Sequence, residues 1–139
     1  MAISDALRAR IREQANNRCG YCLAQQRYTP FTLEIEHIIP VSIGGEDTED
    51  NLWLACRTCN VYKSNQIEAL DSVTNQMIPL FNPRTQIWRE HFMWVEKGTL
   101  IQGISPIGRA TVKALQMNNM VAITVRQNWV QVGWHPPKD

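Results

Sequence analysis

The chain has 139 residues, 44% of them hydrophobic and 19% charged, which fits one ordinary globular domain or a small module with an extension. A formal charge of +1 gives no overall basic field for nucleic acid, and no apolar run reaches the roughly 18–20 residues of a membrane span. Met1-Ala2-Ile3-Ser4-Asp5 lacks the charged-then-apolar order of a signal peptide, so a cytoplasmic protein with no membrane partner is expected.

Ser4 is a favourable N-cap, and Leu7, Ile11 and Ala15 recur at helical spacing, so a helix is predicted from Asp5 to about Asn16. Arg8 and Arg12 share one of its faces and are candidates for phosphate contacts. Cys19-Gly20-Tyr21-Cys22 follows, with glycine read as the residue that permits a tight turn. Phe31 to Glu36 alternates apolar and polar residues and reads as a strand with one buried face. Pro40 and Gly44-Gly45 break it into a loop, Leu52-Trp53-Leu54 is a second strand, and Arg57 to about Asn65 is a short helix.

Signals weaken beyond Ile67. Ile67 to Val73 extends as helix, Phe81-Asn82-Pro83-Arg84 is a loop, and Phe92–Val95 and Thr99–Gln102 flank Lys97-Gly98 as a hairpin. Ser105-Pro106 opens a helix to about Met117. Val121 to Val125 is β-rich by propensity, yet Met120, Ile123, Trp129 and Val130 fit a helix, which is the expectation. Four of the five tryptophans lie beyond residue 80 and are expected in a core. His91 reads as structural, and His135 reads as exposed in the Pro-rich tail that ends at Asp139.

Four cysteines in two Cys-x-x-Cys pairs, Cys19/Cys22 and Cys56/Cys59, match the tetrahedral demand of a structural zinc ion. A redox role for the thiols is the competing reading. Bound as thiolates with Zn2+, the four would bring the formal charge to about −1. Residues 34–50 hold Glu34, Glu36, Glu46, Asp47, Glu49 and Asp50 without a lysine or arginine, which suits a segment that holds a cation. Phosphodiester hydrolysis needs a base for water and charge neutralisation at phosphorus. A neutral imidazole, His37, suits the first task. Glu36 and Asn60 offer oxygen ligands, which favour Mg2+ or Mn2+.

Glu36-His37-Ile38-Ile39-Pro40, Gly44-Gly45, Asn51-Leu52 and Cys56-x-x-Cys59-Asn60-x-x-Lys63 together resemble the HNH endonucleases over residues 15–66. The resemblance implies an α+β fold with a ββα-metal core and a zinc knuckle pair, here followed by a C-terminal hairpin and helices. It implies that His37 is the general base, that Glu36 and Asn60 hold the catalytic divalent ion, and that Asn51 pins the loop through backbone hydrogen bonds. It also implies DNA as partner, with 5′-phosphate and 3′-hydroxyl products. Two positions depart from the commonest pattern: Asn60 stands where histidine is frequent, and Glu36 where aspartate is. Lys63, one turn past Asn60, is a candidate for phosphate contact, as are Arg84, Arg89 and Arg109. Phe81-Asn82-Pro83-Arg84, Trp88, His91-Phe92 and Gly108-Arg109-Ala110 are similar to an extension found in stand-alone bacterial members.

The expectation is therefore an HNH core over residues 1–70 and an extension over residues 71–139 packed on it. The predicted activity is metal-dependent endonuclease cleavage of DNA. The alternative is a non-catalytic zinc-stabilised module that binds nucleic acid.

Overall fold

The computed structural model describes residues 3–138, so Met1 and Ala2 of the leader reading and Asp139 of the tail lie outside the described residues. The elements are α1 (Asp5–Gln14), β1 (Glu34–His37), β2 (Leu52–Ala55), α2 (Arg57–Lys63), β3 (Glu68–Asp71), β4 (Gln76–Pro79), β5 (Phe92–Val95), β6 (Leu100–Gly103), α3 (Pro106–Ala114) and α4 (Met120–Gln131). Among the described residues, three antiparallel pairs, β1–β2, β3–β4 and β5–β6, stand among four α-helices, an α+β architecture. The chain divides into two compact units, one running to Ile67 and taking in Asn82–Gln86, the other made of Glu68–Phe81 and the chain from Ile87 on. No helix among the described residues is long and apolar enough to cross a membrane.

In the first unit, Ser4 Oγ accepts the Leu7 N–H at 3.1 Å and starts α1. Asn16 and Asn17 at positive φ then turn the chain toward Cys19, a conformation asparagine tolerates. Ala15, Leu33 and Leu54 form a buried cluster, with Ile35, Trp53 and Cys56 against it. β1 pairs with β2 so that Glu34 faces Ala55 and His37 faces Leu52. The strand begins later than its alternation predicts. Phe31 is 72% exposed, and the Gln26 side chain takes up the backbone of Phe31 and Leu33 instead of a partner strand. The buried carboxylate of Glu36 is the second departure: both faces of the hairpin are covered, so the period-2 pattern does not mark an outside.

Gly20 has a role other than the one predicted. Its φ is not in the left-handed region, but a Cβ there would fall 2.3 Å from the Trp53 indole, so the residue is small because the ring lies on it. Its N–H donates to Leu54 O at 2.8 Å and ties the first thiol pair to β2.

The second unit corrects the helical reading of Ile67 to Val73. Asp71 accepts N–H bonds from Val73 and Thr74, Asn75 takes positive φ, and the chain reverses, pairing Glu68 with Pro79 and Asp71 with Gln76. β5 and β6 pair Phe92 with Gly103 and Val95 with Leu100. Ser105 Oγ caps α3 through the Gly108 N–H at 3.0 Å, and α3 lies against β6 and β3. α4 opens on Asn119, whose side chain accepts the Ala122 N–H at 2.9 Å. His135 is 6% exposed rather than solvated, because its ring is seated edge-on against Trp94 with centroids 4.4 Å apart. Trp88 packs with Phe92 and Trp94, whereas Trp134 stays outside the core.

Candidate active site and zinc site

Cys19, Cys22, Cys56 and Cys59 converge until all four sulfurs lie within 4.8 Å of one another, and none is in a disulfide. Two N–H groups point at this cluster, from Tyr21 to Cys19 Sγ and from Cys59 to Cys56 Sγ, each at 3.4 Å. The neighbouring sulfurs and burial push the Cys59 thiol well above its ordinary value. A divalent cation inverts that balance, since it takes four thiolates tetrahedrally and cancels their repulsion. The cluster fits zinc.

His37 ends β1, and its Nε2 lies 2.6 Å from Asp47 Oδ1, with 24% of the imidazole side chain exposed. Asp47 sits in the loop that returns from Pro40 to Asn51. The Asn51 side chain accepts the Ile39 N–H at 2.8 Å and donates to Ile39 O and Glu46 O, both at 3.0 Å. One buried amide thus bonds the start and the end of the loop. Gly45 is required there by space, because a Cβ would fall 1.7 Å from Ile39 O.

Glu36 and Lys63 occupy the other side of β1. Lys63 Nζ lies 2.7 Å from Glu36 Oε1 and donates to His37 O at 3.1 Å and Ile38 O at 3.0 Å, so all three ammonium protons have acceptors. The Tyr21 hydroxyl lies 3.1 and 2.9 Å from the two carboxylate oxygens. The three side chains are buried. Burial pushes the Glu36 carboxyl up against the downward pull of Lys63 and Tyr21, and burial followed by the Glu36 charge pushes the Tyr21 hydroxyl well up. Nearer the start of β1, Asn60 Nδ2 donates to Glu34 Oε1 at 2.8 Å, and Arg57 pairs with the same carboxylate. The regular alternation of β1 puts Glu34 and Glu36 under α2, while the His37 ring turns to the loop.

Residues 19–66 match the family model of HNH endonucleases. This segment belongs to the HNH family. No curated protein and no solved structure matches the chain. HNH domains imply nuclease or other nucleic-acid-related function, and the four-cysteine cluster is consistent with a zinc-binding subtype.

Two roles that the HNH pattern suggests meet a different arrangement here. Glu36, expected to hold the catalytic ion, has its carboxylate engaged by an ammonium and a phenol in a buried place, where a further cation is repelled by Lys63. Asn60, its expected partner, bonds Glu34. Glu36 and Asn60 are therefore not presented together as an open ligand pair. Lys63, expected at a phosphate, is 2% exposed with every donor occupied. Arg12 donates to Leu33 O, and Arg84 donates to Leu52 O and Gln14 Oε1 while lying over the Trp53 ring. Of the six expected phosphate contacts, Arg8 and Arg89 are exposed. Arg109 is engaged by Asp71 through two bonds of 2.9 Å.

Asp47, Tyr21 and Glu34 were not singled out as site residues. Asp47 was readable only as part of an acidic run, and Tyr21 only as a spacer inside a Cys-x-x-Cys. Each acquires a role through a contact that chain spacing does not encode.

Proposed function

We propose that this protein is a metal-dependent DNA endonuclease in which His37 is the general base. The reading is carried by one observation: within the HNH segment, a partly exposed imidazole is fixed by a carboxylate on one ring nitrogen, at the end of a strand whose backbone is itself held. The neutral ring takes a proton from water through the remaining nitrogen. The water oxygen bonds to phosphorus, the bond from phosphorus to the 3′ oxygen breaks, and that oxygen takes a proton from solvent, so that a 5′-phosphate and a 3′-hydroxyl result.

Mg2+ or Mn2+ belongs to this reading because a hard cation neutralises charge on the phosphate oxygens. Asn60 is retained as an oxygen donor to it. Glu36 is reassigned to the support of His37 through Lys63, since its carboxylate is already paired. Zinc at the four thiols holds β2 and α2 to the Cys19 knuckle and takes no part in the chemistry. Arg8 and Arg89, exposed in their respective units, are the proposed contacts to DNA backbone.

A second reading, a zinc-stabilised nucleic-acid-binding module without catalysis, is favoured by the same engagement of Glu36 by Lys63. Incubation of supercoiled plasmid with the protein and Mg2+ or Mn2+ separates the two. Cleavage that is lost in His37→Ala, with zinc still bound, supports the nuclease. Salt-sensitive binding with no cleavage in either ion supports the module.

A further inference from the structure

We propose that Asp47 is the positioning residue of His37, fixing the imidazole with its proton on Nε2 so that Nδ1 is the basic atom. The inference rests on the nuclease reading for its functional consequence and on geometry for the contact itself. A neutral imidazole carries one proton, and beside a carboxylate acceptor 2.6 Å away the protonated nitrogen is Nε2. The other nitrogen then keeps its lone pair.

Both partners of this bond stand on fixed supports. Lys63 holds the carbonyls of His37 and Ile38, which sets the backbone from which the ring projects. On the loop side, the Asn51 amide bonds Glu46 O, next to Asp47, and also bonds Ile39 N–H and O, two residues past His37. Gly45 N–H donates to Pro40 O at 2.9 Å, and the missing side chain of Gly45 allows that close return. The loop thus brings Asp47 back to the strand end at a set distance. Asp47 is 37% exposed and the imidazole 24%, and a pair so open to water contributes little to stability. An open pair held from both sides by buried scaffolding is suited to orientation.

The test uses the full-length zinc-bound protein labelled with 15N at histidine, together with Asp47→Ala and Asp47→Asn. In the wild type, the His37 imidazole shifts are expected to show the Nε2–H tautomer. In Asp47→Ala they move to mixed tautomers, and kcat for plasmid cleavage falls about tenfold or more while KM stays within about twofold. Asp47→Asn replaces an acceptor-only carboxylate with an amide that can also donate to Nε2, and is expected to admit the Nδ1–H tautomer and to lower kcat as well. Equal zinc content in all three proteins shows that the fold is intact. Unchanged imidazole shifts in Asp47→Ala, or a wild-type kcat in that variant, overturns the proposal. A wild-type protein that cleaves no plasmid overturns the nuclease reading instead, and the imidazole shifts then decide the Asp47 contact on their own.

Discussion

In the first unit the buried Glu36 precedes His37 on β1 and pairs with the buried Lys63 at the end of α2, whereas in the second the buried Asp71 ends β3 and the buried Arg126 lies within α4. The two sets differ in what they hold. Lys63 fixes two consecutive carbonyls next to a partly exposed ring. Arg109 joins the β3–β4 turn to α3 through Asp71, and Arg126 joins α4 to Thr99 O and Met117 O. The second set stitches elements together, as a small core without a thiol cluster requires. Among the described residues, the first unit alone has a group of cysteines that could bind a metal ion. Buried charge near a reactive residue is thus the more informative kind, because hydrophobic packing would hold a hairpin together without it.

The largest test of this contrast is the removal of zinc. Cys56→Ser, or a strong chelator, is expected to unfold the first unit, since a structural zinc site contributes on the order of 10 kcal/mol. The second unit should keep its structure, as read from the fluorescence of Trp88, Trp94, Trp129 and Trp134 against the loss of zinc and of far-ultraviolet dichroism. Simultaneous collapse of both units would abolish the distinction.

A smaller effect comes from the Glu36–Lys63 pair. Lys63→Met leaves a buried carboxylate without its cation and should cost about 3–5 kcal/mol in urea denaturation. Adding Glu36→Gln to that variant should recover part of the loss. If Glu36 binds the catalytic ion instead, Glu36→Gln by itself lowers cleavage and leaves stability unchanged.

The smallest effect is the acid sensitivity of the second unit. Burial and then the Arg126 charge lower His135 to about 4, so its neutral ring is favoured by folding. Unfolded, the ring titrates near 6.5, so this contribution is whole above that value and is lost as pH falls toward about 4. Arg109 holds the Asp71 carboxyl well below its ordinary range, and that contribution is lost only at lower pH still. The denaturation midpoint reported by tryptophan should therefore fall between pH 7 and 4.5, and His135→Phe should flatten the fall. An identical slope in the variant would remove His135 from the account.

Local signals were readable where one residue determines one conformation. Ser4, Ser105 and the Lys97-Gly98 turn mark element ends by their own hydrogen bonds or backbone angles. The Ile67 to Val73 segment was misread because its apolar spacing fits either period, and the reversal depends on Asp71 accepting two N–H bonds. His135 was misread because a tail histidine is buried only by rings supplied from Trp94 and Trp129. Glu36 was read by its place in a motif, and its actual partners come from Tyr21, within the first thiol pair, and Lys63, on a later helix.

By itself, then, the amino-acid sequence determined the HNH likeness of residues 19–66, the pairing of the thiols into one cluster and the α+β class, because each follows from residue type and spacing along the chain. Only the tertiary structure decided which charges are buried, that Lys63 faces the protein rather than a phosphate, and that Asp47 meets His37. Those depend on how α2 lies on β1 and how the loop from Pro40 to Asn51 returns, and desolvation and hydrogen-bond geometry act only once distant residues are neighbours.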